Sequence, residues 1–270
     1  YSDVLGEDRT VQITLRRPDG APQPWPVIVW SHGGMPRVSS VTAGEEWGHV
    51  FTRAGFAFVA IAHTERDDAS RLRLCEHFGV TVMADCARVK YLHYDQPNDF
   101  REVVDYLEAE AVGPLAGFLD LERLLYAGQS AGSGSTSMIA GASRTIFALP
   151  QTLPDPRPIA FIGASMEGPL DDGFADDAFD VMARPHLTLS GVGDYTPEAE
   201  ALPRRLPFER MMPGDKYRVW ITDPAARHMT FNHELSPCQD FLSTTGGDAS
   251  RCAEHMIWLE SAALAFADAY

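Results

Sequence analysis

Residues 123–134 read Arg-Leu-Leu-Tyr-Ala-Gly-Gln-Ser-Ala-Gly-Ser-Gly, and this stretch decides how the chain folds. Residues 123–127 form a β-rich run, and the small residues from Ser130 onward continue into a helical segment. Gly128-Gln129-Ser130-Ala131-Gly132 therefore sits on a predicted strand-to-helix turn. A serine hydroxyl is a poor nucleophile until a base takes its proton, so it must protrude where an imidazole can reach it. A sharp turn of this kind exposes it, at the cost of crowding strand against helix, and Gly128 and Gly132 relieve that crowding. The N–H of Ala131, opening the helix, then points toward a developing oxyanion. The bland alternative is a glycine turn in which Ser130 merely caps a helix.

Outward from this turn, strand and helix patterns alternate. Residues 11–17 alternate apolar and polar, as an exposed early strand does. Residues 27–30 and 56–62 are continuous apolar runs, suited to strands buried on both faces of a parallel sheet. Between them Trp47, Val50, Phe51 and Ala54 hold helical spacing, and Gly55 ends that helix. Pro97 is predicted to open a helix carrying Phe100, Val103, Val104 and Leu107. Short β-rich runs follow at 159–162, 187–189 and 217–221, and a last helix carries Met256, Leu259, Ala263 and Phe266. Residues 63–96 read as an irregular excursion above the sheet, a candidate lid or pocket wall. The pattern predicts one α/β domain over 1–270, a mostly parallel central sheet with helices on both faces. Ligands on such sheets bind at the carboxyl ends of the strands.

Residues just past those strands supply partners for Ser130. His32-Gly33-Gly34 follows the run 27–30 and offers a second oxyanion N–H, assigned to Gly34 with Met35 as its rival. His32 itself reads as structural. Asp194 lies in Ser190-Gly191-Val192-Gly193-Asp194, where a carboxylate holds an imidazole in the right tautomer; Asp223 is the weaker candidate. His228 follows the last strand, with His233 as its competitor. His49 and His255 fall within helices. The order Ser130, Asp194, His228 is the one described for α/β-hydrolases. Met35, His63 and Met166 are expected to line the substrate pocket, an apolar lining suited to hydrophobic esters or polyesters.

Ser31-His32-Gly33-Gly34, residues 121–123 leading into 128–132, residues 191–194, and residues 226–231 with Pro237-Cys238 resemble the dienelactone-hydrolase-like and platelet-activating-factor-acetylhydrolase-like branch of the α/β-hydrolases. The resemblance spans nearly the whole chain. It implies that branch's fold and a metal-independent hydrolysis of carboxylic esters by Ser130, Asp194 and His228. Oxyanion donors at Gly34 and Ala131 carry over with it. Gln129 stands where histidine is frequent and Ser133 where glycine is common. Dienelactone hydrolases use a cysteine nucleophile, which is absent at this position. A peptidase or amidase on the same fold, and a silent binding protein, are the alternatives.

With 38 acidic against 22 basic residues, the chain carries a formal charge of −16. Such a surface repels nucleic acid and anionic membranes. No apolar run approaches the ~20 residues of a membrane span. Cys75 with Cys86, and Cys238 with Cys252, form two local pairs able to close short disulfide loops, which predicts a secreted or periplasmic protein; four unlinked thiols are the alternative. The chain opens on Tyr1 rather than Met, which fits a removed leader or a trimmed chain. No cofactor and no metal site are expected, and the acidic stretch with Asp171, Asp172, Asp176, Asp177 and Asp180 reads as a solvated turn. The partner is a small-molecule or polymeric ester; the sequence leaves the oligomeric state open.

Overall fold

The structure is a computed structural model that describes residues 1–35, 37–81, 86, 88–147, 149–169, 173–197 and 200–270. Seven strands form one sheet in the order β1-β3-β2-β4-β7-β8-β9. They are β1 (Gln12–Arg16), β2 (Trp25–Ser31), β3 (Ala57–Ala62), β4 (Leu119–Gln129), β7 (Ala160–Ala164), β8 (His186–Gly191) and β9 (Lys216–Ile221). Only β1 runs antiparallel to its neighbour; β3 through β9 are parallel. A small hairpin, β5 (Arg144–Ile146) and β6 (Leu149–Gln151), stands apart.

Side chains alternate across the sheet with the two-residue period of a strand. Ile28 and Trp30 of β2 join the core under α1 (Glu45–Arg53) and α7 (Ser250–Ala269), with Trp47, Phe51, Leu259 and Phe266. Val27 and Val29 face the opposite way, onto α3 (Arg88–Ala111) and α4 (Ala131–Ala140), with Phe100, Val104, Leu107 and Ile139. Helices therefore cover both faces, as the continuous apolar runs predict.

The connection from β2 leads outward to β3, whereas β4 lands on the other side of β2. Winding reverses there, and right-handed crossovers place α1 and α3 on opposite faces. The reversal falls at the carboxyl ends of β2 and β4, where Ser31 pairs with Gly128, the place at which such sheets bind ligands. Both glycine-rich turns singled out in the sequence thus begin side by side.

The described residues of the segment 63–96, expected to be irregular, are helical in part. They include α2 (Asp68–His77), capped by the Asp67 carboxylate accepting from the Ser70 N–H at 2.7 Å, and the start of α3. Pro97 lies inside α3 rather than at its start. A proline within a helix loses one backbone bond, a cost of roughly 3 kcal/mol. Burial of Tyr91 and Leu92 before it and Phe100 and Val103 after it offsets that loss. Two further helices, α5 (Leu206–Arg210) and α6 (Ser236–Thr245), flank β9 in the chain. Cys75–Cys86 and Cys238–Cys252 are disulfide-bonded, as an oxidising compartment permits. Asp171 and Asp172 lie outside the described residues. Among the described residues no helix is long and apolar enough to cross a membrane.

Candidate active site

Ser130 sits between β4 and α4 with φ +53° and ψ −120°, a strained conformation for a residue with a side chain. Its N–H is held by the Ala164 carbonyl at 3.0 Å, and its own carbonyl accepts from Ser133 N–H at 2.8 Å. The neighbouring glycines permit this. A Cβ on Gly128 would come within 2.6 Å of the Gly132 backbone, and one on Gly132 would overlap the Ser31 carbonyl. Ala131 is the first residue of α4, so its N–H has no carbonyl behind it within the helix.

The loop after β2 lies against this turn. A Cβ placed on Gly33 would stand 3.3 Å from Ser130 Cβ, and one on Gly34 4.0 Å from Ala131 Cβ. Gly34 and Ala131 are thus neighbours. His32 is tied into the loop: its Nδ1 meets the Gly33 carbonyl at 2.6 Å, and its carbonyl accepts from Gln96 Nε2 at 2.9 Å.

Asp194, fully buried past β8, accepts from His228 Nδ1 at 2.7 Å. Asp194 Oδ2 accepts from Ser190 Oγ, also at 2.7 Å. Close approach of the two loops requires glycine, because a Cβ on Gly193 would meet the carbonyl oxygens of Pro224 and Ala226. Burial pushes the Asp194 carboxyl upward, but the Arg204 guanidinium and the bonds from His228 and Ser190 outweigh burial and hold it below the usual range. Asp223 is occupied elsewhere, paired with Arg251 and 3.0 Å from His255 Nε2. His233 bonds Glu260 at 2.8 Å and packs edge-on against Trp47. Among the described residues, the ion-pair partners of Asp223 and His233 are these and not Asp194 or His228.

The far nitrogen of His228, Nε2, meets the side-chain amide of Gln129, the residue before Ser130, at 3.1 Å. With Nδ1–H donated to Asp194, Nε2 carries the lone pair, so the Gln129 amide is the donor. Ser165, at φ +49°, donates its hydroxyl to the His228 carbonyl at 3.3 Å.

Three residues expected at the pocket fare differently. Met35 is 43% exposed beside Gly34. His63 does not face open space: it bonds Asp99 at 2.9 Å and Ser31 Oγ at 2.5 Å, and Arg9 grips Asp99 from the other side. Met166 is fully enclosed in a core cluster with Met138 and Phe179. Both side chains are buried. Three residues of the site were not foreseen. Ser190 had a local signal, since a turn through two glycines returns its hydroxyl to Asp194. Gln129 showed only as an unusual residue in the pentapeptide. Arg204 had none; it reaches Asp194 from the short 3-10 turn Leu202–Arg205.

No family model and no curated protein matches the chain. Among solved structures, it is similar to a 2,6-dihydroxy-pseudo-oxynicotine hydrolase, at 16% identity and TM-score 0.54, covering 92% of this chain and 65% of that one. The chain thus spans less than two thirds of that protein. A ferulic acid esterase from Streptomyces cinnamoneus is 20% identical at TM-score 0.53, covering 93% of this chain and 68% of that one. A dienelactone hydrolase from Anabaena variabilis is 17% identical at TM-score 0.50, covering 87% of this chain and 88% of that one. Sheet order, winding and these likenesses agree: the chain has the α/β-hydrolase fold.

Proposed function

We infer that the chain hydrolyses carboxylic esters with Ser130 as nucleophile, His228 as base and Asp194 as its orienting acid. One observation carries this reading. His228 is bonded through Nδ1 to buried Asp194, and its Nε2 meets the side chain of Gln129, the residue before the strained Ser130. In the cycle, Ser130 Oγ attacks the ester carbonyl carbon while His228 Nε2 takes the hydroxyl proton. Gly34 and Ala131 N–H groups hold the negative oxygen of the tetrahedral adduct. As the adduct collapses, the carbonyl reforms, the C–O bond breaks, and His228 gives its proton to the departing alcohol. Water then attacks the acyl-enzyme by the same relay, releasing the acid and restoring Ser130. The likeness to an esterase and to hydrolases supports this class of chemistry, and the two disulfides support secretion or a periplasmic location.

A panel of esters and matched amides, run on the wild type and on Ser130→Ala, tests the reading. Ester turnover is expected, with kcat falling by about 10⁴-fold or more in the variant. Equal turnover of amides would move the assignment to an amidase, and retained ester turnover in Ser130→Ala would remove Ser130 from the mechanism.

A further inference from the structure

Arg204 is a buried cation, 3% exposed, placed against the acid of the proposed triad. Its Nε lies 3.5 Å from Asp194 Oδ1 and donates to the Asp194 carbonyl at 3.0 Å. Its Nη1 donates to the Ser165 carbonyl at 2.7 Å and reaches the Met166 carbonyl at 3.3 Å. The oxygen that faces Arg204, Asp194 Oδ1, is the same one that accepts from His228 Nδ1. A single carboxylate oxygen therefore stands between a permanent cation and a ring that becomes a cation whenever it takes a proton. An arginine cannot shed its charge at any working pH.

We propose that Arg204 is a positioning residue that shares the Asp194 carboxylate with His228, so that the acid limb of activity lies at lower pH with this cation in place than without it. This inference rests on the assignment of Ser130, Asp194 and His228 above. The physical reason is charge sharing. A lone carboxylate beside a histidine favours the imidazolium and moves the acid limb of activity to higher pH. A guanidinium 3.5 Å from the same carboxylate oxygen offsets part of its charge and repels the imidazolium behind it. Among the described residues, the following nearby charged groups have partners of their own. Glu167 is ion-paired with Arg144 at 2.7 Å and faces His93. Arg205 pairs with Glu209 and lies over Trp220. Arg227, next to His228 in the chain, lies over Tyr195 and Phe241. The bonds to Ser165 and Met166 do a second job, since Ser165 also holds the His228 carbonyl: one side chain fixes both the acid and the backbone of the base.

The test is the pH dependence of fluorophosphonate labelling of Ser130, followed by mass spectrometry, in the wild type, Arg204→Met, Arg204→Gln and Arg204→Lys, with the kcat and KM of one ester alongside. In the neutral variants the acid limb is expected to move up by about one pH unit, so that labelling on that limb slows about ten-fold relative to the wild type. Arg204→Lys, which keeps the charge, should hold the limb in place. The loss should appear in kcat rather than KM. An unmoved limb in folded Arg204→Met or Arg204→Gln overturns the proposal. Arg204→Gln keeps donors for the carbonyls, so failure of both neutral variants to fold would mark Arg204 as a brace and overturn it as well. Wild-type protein that takes no label at Ser130 contradicts the triad assignment instead, which separates the two failures.

Discussion

At residue 193 the chain tolerates no side chain. A Cβ there would press against the carbonyl oxygens of Pro224 and Ala226, backbone atoms that have little room to move. Gly193→Ala is expected to destabilise the fold by about 1–3 kcal/mol and to separate Asp194 from His228. Thermal melting and ester turnover check this; a variant with unchanged Tm and kcat would show that the two loops are not held by that approach. Gln129 offers a different kind of test. Its amide donates to the lone pair of His228 Nε2, which in the proposed mechanism must instead accept the Ser130 proton during attack. Gln129→Leu removes that competitor at similar volume. A neutral hydrogen bond contributes about 1 kcal/mol net, so fluorophosphonate labelling of Ser130 should quicken about five-fold. Labelling slowed or unchanged by the substitution would contradict this role. At this scale legibility followed backbone constraint. Residues 128–132 and 191–194 announce themselves because tight turns demand glycine, and the turns carry Ser130 and Asp194 with them. Arg204 leaves no such trace: it reaches across ten residues with a long side chain, and no local pattern requires it. His63 and Met166 are buried, which the sequence does not show because it marks the strand end but not the direction in which the side chain leaves it.

Elements with a strong apolar period were readable, and those without one were not. The strand residues 27–30 and 57–62 and the helix faces of α1 and α7 stood out because both their spacing and their neighbours are apolar. α2 stayed hidden: in Asp-Ala-Ser-Arg-Leu-Arg-Leu-Cys-Glu-His only Leu74 and Cys75 are buried, so no stripe forms. The helix is stabilised instead by the Asp67 cap and by ion pairs such as Arg66 with Asp95 and Asp3. Pro97 was read as a helix start because a proline is usually excluded from an interior, a preference that tertiary burial overrides here. The stretch between β9 and α7 bears His228 and is tied down by Cys238–Cys252, a loop closed over a separation of 14 residues. Closing such a loop contributes about 3 kcal/mol. Cys238→Ser with Cys252→Ser should therefore lower Tm by several degrees, and if the bond anchors the His228 loop, kcat should fall with it. Unchanged melting would show that the helices α6 and α7 hold the loop without the bond.

Over the whole molecule, the sheet order sets the site, because the winding reversal between β2 and β4 brings the two glycine turns side by side. The same dense sheet buries ionisable groups that make the fold sensitive to acid. His186 in β8 is fully enclosed against Phe161, and burial, with Lys216 and Arg184 nearby, pushes its pKa down to about 3. The unfolded chain protonates this ring below about 6.5, whereas the folded one does so only near 3, so stability falls as pH drops through that window. By pH 5 the loss from this group is about 2 kcal/mol, on the 1.36 kcal/mol scale of one pKa unit. Asp99, held low by Arg9 and His63 against the push of burial, adds to the loss at still lower pH. Urea midpoints at pH 7 and pH 5 measure it, and His186→Phe should flatten the difference; an equal pH dependence in the variant would assign the loss to other groups.

The central claim is that Ser130 is activated by His228 held on Asp194. Site-mapped fluorophosphonate labelling tests it most directly. The account predicts a single adduct on Ser130, absent in Ser130→Ala and at least a hundred-fold slower in His228→Ala, the low end of what a positioned general base contributes. An adduct on a different serine, or labelling of Ser130 at full rate without His228, would contradict it.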